Sequence, residues 1–108
     1  MRTTYGKLIR DRIPEILEAE GLRYEVARLD DEAFRAALLA KLLEEAGEAA
    51  AARDADGLAK ELADVYEVID AILEVHGLDG DAVRALQARR REERGGFDER
   101  LELRWTEG

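Results

Sequence analysis

From Asp31 to His76 the apolar residues recur with a helical period, and the interruptions are Asp and Gly. At about 100° per residue, Phe34, Leu38, Leu42 and Ala49 line one arc of a long helix. Asp30 or Asp31 supplies its N-cap, and it runs to about Arg53. Leu39, Leu43 and Ala46 fall on a second arc, so this helix is expected to be covered on two sides. Asp54, Asp56 and Gly57 read as a break. A second long helix then spans Gly57 or Leu58 to His76, with Val65, Val68 and Ile72 on its apolar side. Lys60, Glu67, Asp70 and Glu74 mark its solvent side, and Gly77 stops it.

Shorter elements flank this pair. Pro14 suits the first turn of a short helix through Glu20 that ends at Gly21. Asp79 or Asp81 caps a further helix to about Arg94, closed by Gly95 and Gly96. Residues 22–29 alternate weakly and read either as a short strand or as an extended connector. The tail over 98–105 alternates around Leu101, Leu103 and Trp105 and is a candidate short extended segment. The expected fold is therefore all-α, a bundle of antiparallel helices in a single domain, residues 1–108.

Composition changes the picture in three respects. With 108 residues and 46% apolar content, the chain affords only a modest core. Together with the two-sided first long helix, this points to a bundle completed by self-association, as a homodimer first and a tetramer second. A net charge of −9 argues against a broad basic surface for nucleic acid. Finally, the absence of cysteine removes disulfides, thiol catalysis and cysteine zinc sites. No stretch resembles a signal peptide or reaches transmembrane length, so a soluble cytoplasmic protein with no membrane partner is expected.

The chemistry concentrates in an acidic pattern, E-E-x-x-E at Glu44, Glu45 and Glu48 and E-x-x-D at Glu61 and Asp64. Residues three apart on a helix stand on one side of it. On the first long helix, Glu45 lies within about 20° of the middle of the Phe34–Leu38–Leu42 arc, where a solubility role makes little sense. Lys41 and Glu48 flank that arc, and Glu44 lies further round. On the second, Glu61 points about 80° or more away from the solvent face, and Asp64 sits nearer its edge. Ionised carboxylates among leucines and valines need a partner. Lys41 is the one basic residue on these arcs, which favours a metal held by oxygen ligands, Mg²⁺, Mn²⁺ or Ca²⁺.

The paired acidic motifs on consecutive helices resemble the all-α nucleoside triphosphate pyrophosphohydrolases, a superfamily that includes the MazG proteins. The opening Y-G-K-L-I-R-D-R-I-P and the late R-G-G-F are similar to a small single-domain subgroup, the phosphoribosyl-ATP pyrophosphohydrolase-like proteins. The resemblance implies Mg²⁺, with Mn²⁺ as a substitute, bound by Glu45, Glu48, Glu61 and Asp64. It implies that Glu44 holds a further metal or orients the attacking water, and that Lys41 faces the same pocket toward phosphate. The implied reaction cleaves between the α- and β-phosphates, releasing a nucleoside monophosphate and pyrophosphate.

Lys7 and Arg10 near the start, and Arg90 and Arg94 near R-G-G-F, are candidates for binding the triphosphate. The arginines of the later group equally suit a helix C-terminus, where they complement its dipole. His76, at a helix end, reads as a cap and not as a catalyst. The expected role is the removal of non-canonical or excess nucleotides. The alternatives are phosphoribosyl-ATP hydrolysis in histidine biosynthesis and a non-enzymatic helical module that binds a metal or a protein.

Overall fold

The computed structural model describes residues 1–108 and contains helices only. In order these are α1 (Ile13–Ala19), α2 (Asp31–Ala51), α3 (Ala55–Val75) and α4 (Gly80–Arg94). The chain divides into two compact units, Met1–Gly77 and Leu78–Gly108.

The first unit is built on a hairpin of α2 and α3, each of 21 residues and so about 31 Å long. Each begins on an aspartate whose side chain takes an orphan backbone N–H of the first turn. Asp30 Oδ1 accepts from Ala33 N at 2.8 Å, and Asp54 Oδ1 accepts from Gly57 N at 2.7 Å. The second cap corrects the expected boundary. Gly57 lies in the first turn of α3 rather than in the break, because Asp54 captures its N–H and starts the helix at Ala55. Only residues 52–54 then remain as connector, which forces α2 and α3 antiparallel. At the far end Arg35 of α2 donates to the Val75 carbonyl at 3.4 Å, covering one orphan acceptor of α3. Gly77 follows with φ +65°, the left-handed geometry that ends such a helix.

The core between these helices is small. Leu38 is 3% exposed and Val68 8%, and they are the only buried hydrophobic residues. Phe34, Leu42, Ala49, Val65 and Ile72 are half-buried around them, on the arcs the periodicity assigns. The second arc of α2 is uncovered, with Leu39 at 49% and Leu43 at 77% exposure. Leu58, Leu62 and Tyr66 of α3 are exposed as well. Before α2, α1 has Pro14 in its first turn and ends at Gly21, where φ is +75°.

In the second unit, Asp79 caps α4 by accepting from Asp81 N at 2.9 Å, and Arg91 and Arg94 occupy its last turn. Beyond it, Phe97, Leu101, Leu103 and Trp105 are exposed. Neither candidate extended segment becomes a strand. Strands need a neighbour to share a ladder, and no backbone–backbone hydrogen bond reaches residues 23–29 or 101–105. No helix is long and apolar enough to cross a membrane.

Candidate metal centre

The inward arcs of α2 and α3 bring Glu45, Glu61 and Asp64 together, with one carboxylate oxygen from each lying within 4.8 Å of the others. Helical phase causes this. Glu45 is one turn beyond Lys41 and Leu42 on the packed side of α2, and Glu61 and Asp64 are one turn apart on the facing side of α3. Glu45 is buried at 7% exposure, while Glu61 and Asp64 are half-buried. Both Glu45 Oε2 and Glu61 Oε2 are sequestered from solvent with no hydrogen-bond partner. Leaving such an atom unsatisfied costs about 1–3 kcal/mol, and more when it is charged.

The electrostatics follow the burial. The Glu45 carboxyl is pushed above its ordinary range, first by burial, then by the nearby Glu48 carboxylate, and then by Asp64. Lys41 opposes this, with Nζ 3.7 Å from Glu45 Oε1. Glu61 is raised by the same causes, burial first and Glu48 next. Glu48 thus acts on both carboxylates, although it is exposed and stands outside the close trio. Glu44 behaves oppositely. The Lys7 ammonium donates to its Oε1 at 3.1 Å and holds the carboxyl below its usual range, and Lys41 stands 3.5 Å away.

Here the structure corrects the expectation that Lys41 alone stands near the acids. The segment before α1 lies against them as well, with Lys7 on Glu44 and Arg10 Nη2 on Asp64 Oδ1 at 2.6 Å. Sequence periodicity could not find this, because residues 1–10 have no regular structure and hence no helical phase to read. Arg90 and Arg94 lie on α4 in the second unit, exposed and in no ion pair. His76 is the C-cap residue of α3, where its backbone N–H reaches the Ile72 carbonyl at 3.1 Å.

Three cations, Lys7, Arg10 and Lys41, face five carboxylates, so two negative charges stay unmatched. The close trio offers oxygen donors only, over a spread that a cation with bonds of about 2.1–2.4 Å can span. The cluster could therefore hold a metal ion, and two of its three carboxylates each keep a buried oxygen without a partner. Two open grooves border the first unit. One is lined by Arg10, Arg12, Ile13 and Glu67, the other by Asp31, Phe34 and Glu74, and the acidic trio lines neither. Compared with family models, curated proteins and solved structures, the chain matches none.

Proposed function

We propose that this protein is a metal-dependent nucleoside triphosphate pyrophosphohydrolase that cleaves between the α- and β-phosphates and acts on non-canonical or excess nucleotides. One observation carries the reading. Glu45 and Glu61 each keep a buried oxygen with no partner, inside a trio of carboxylates on facing helices. That is the donor set for Mg²⁺ or Mn²⁺, and the paired acidic motifs are those on which the resemblance to the all-α pyrophosphohydrolases rests.

In this reading Glu45, Glu61 and Asp64 hold the ion, and Glu48 completes the set from the rim. A bound divalent ion neutralises phosphate oxygens, acidifies a coordinated water and stabilises the leaving pyrophosphate. Glu44, kept ionised by Lys7 and Lys41, is suited to orient the attacking water or to hold a further ion. Lys7, Lys41 and Arg10 already stand at the acids and are the cations nearest an arriving triphosphate. Arg90 and Arg94 keep the looser role of phosphate contacts proposed from the sequence. The exposed Leu39, Leu43, Leu62 and Tyr66 favour a homodimer that buries these faces, with a tetramer as its extension. The test is incubation with a panel of canonical and modified triphosphates plus Mg²⁺ or Mn²⁺. Monophosphate and pyrophosphate are expected, and Glu45→Gln should lower turnover more than about 100-fold, beyond the usual cost of losing a mere neighbour of a ligand. Orthophosphate as the product would overturn the reaction class, and a fully active Glu45→Gln would overturn the site.

A specific observation favours a second reading, that of a non-enzymatic helical module. The Lys7–Glu44 and Arg10–Asp64 pairs neutralise part of the cluster without any metal. On that reading no triphosphate is turned over, and Glu45→Gln behaves like the parent in the same assay.

A further inference from the structure

Arg10 occupies an unusual position. It stands in the turn that leads into α1, with its carbonyl accepting from Ile13 N at 3.1 Å, so its backbone is anchored. Its guanidinium nevertheless reaches Asp64, 54 residues away in sequence, at 2.6 Å. Asp64 is the one member of the close trio that has a cationic partner from outside the α2–α3 hairpin. Arg10 also lines an open groove of about 400 Å³ together with Arg12, Ile13 and Glu67. The Arg10 side chain is 56% exposed, so a second position for its guanidinium lies within reach of a rotation of the side chain.

From this geometry we infer that Arg10 is an internal counter-cation of the acidic site, docked on Asp64 in the metal-free protein and displaced from it when a divalent cation binds. The inference rests on the metal-binding reading of the trio and adds a coupled step to it. Asp64 Oδ1 already carries the Arg10 guanidinium, so a metal ion held by the trio must either take that oxygen or share the single charge of the carboxylate with Arg10. Both partners seek the negative charge that Glu45, Glu61 and Asp64 concentrate, and the ion that neutralises more of it wins. Displacement also changes what Arg10 does. Released, the guanidinium is a free cation next to a metal ion, and it can take up an anion that the metal carries. Binding is thereby ordered, with the metal first and the anionic ligand second. Lys7 has no such conflict, because its partner Glu44 stands outside the trio.

The experiment uses the full chain and metal ions alone. Mn²⁺ affinity is measured, from the signal of free Mn²⁺, for the parent, Arg10→Ala and Arg12→Ala. Arg12→Ala removes an equal charge two residues away, but Arg12 pairs with Glu15 rather than with the site. Arg10→Ala should bind Mn²⁺ about fivefold more tightly, the scale of one well-formed exposed ion pair, and Arg12→Ala should stay within about twofold of the parent. In the unaltered protein the Arg10 Nε–H resonance, identified by its loss in Arg10→Lys, should move on adding Mg²⁺ toward the position of the exposed arginines. Equal affinities in parent and Arg10→Ala, equal gains in both alanine variants, or an Arg10 resonance indifferent to bound Mg²⁺ would each overturn the inference and leave the metal centre standing. If none of the three proteins binds Mn²⁺, the metal reading itself fails and the inference falls with it.

Discussion

On α2, the arc that faces α3 and the arc that faces away depart from the usual inside–outside rule in opposite directions. The inward arc hides Glu45 next to Leu38, whereas the outward arc shows Leu43 at 77% exposure. A buried charge and a bare leucine are both costly, and for different reasons. The first loses its water without a full set of partners, and the second keeps apolar surface wet. Under the proposed function, each departure marks a place for a partner. On the inward arc that is a cation, since two carboxylate oxygens go unpaired. On the outward arc it is another apolar surface, since a core of Leu38 and Val68 is small for the first unit.

The largest expected effect tests the contrast by truncation. Leu38→Ala should lower unfolding stability by about 3 kcal/mol, the range for a buried leucine whose cavity collapses partially. Leu43→Ala should change it by less than about 0.5 kcal/mol when the chain is dilute, measured by urea denaturation. Leu43→Glu should leave the helical content intact and shift sedimentation toward the single chain. If Leu43→Glu sedimented like the parent at every concentration, the outward arc would not be a self-association surface.

These arcs show how much could be read in advance. Helical period placed Leu38, Glu45, Val68 and Glu61 correctly, because a helix converts spacing into direction with little dependence on context. Asp30, Asp54 and Asp79 were readable as caps or turn residues for a similarly local reason. Two kinds of information were not local. Gly57 has the chemistry of a break, and only the reach of the Asp54 carboxylate to its N–H puts it inside α3. The docking of Lys7 and Arg10 depends on the path of a segment without regular structure, which no period encodes. Consequently helical phase made the carboxylates of the site legible, whereas Lys7 and Arg10 were named only as phosphate candidates, with nothing to seat them on Glu44 and Asp64.

The next effect in size concerns the buried charge. The Glu45 carboxyl is raised in the folded protein, chiefly by burial, so its ionisation costs stability. That cost is absent below the ordinary carboxylate range. It grows as pH rises from that range through the raised value, and it stays constant above. In the metal-free protein Glu45→Gln should therefore melt higher than the parent near neutral pH, and the gap should close on acidification. Adding Mg²⁺ should invert the order. The parent gains about 2.7 kcal/mol at a hundredfold excess over its dissociation constant, and the glutamine variant gains far less. A glutamine variant that melts lower than the parent without metal would mean that Lys41 already satisfies Glu45.

The smallest effect calibrates the other two, because it belongs to neither arc. Asp54 accepts the Gly57 N–H at 2.7 Å at the head of α3, away from the hydrophobic pair and outside the acidic trio. Asp54→Ala leaves that donor without its side-chain partner and should cost about 1 kcal/mol by thermal unfolding. Asp54→Asn should restore most of the loss, since the amide oxygen still accepts the bond. Neither change should alter Mn²⁺ affinity or sedimentation, because an N-cap fixes where the helix starts and leaves its phase unchanged. A fall in Mn²⁺ affinity matching the lost stability would mean that Glu61 and Asp64 depend on the first turn of α3 for their aim. The inward arc would then be set by the connector as much as by the packing of α2 on α3.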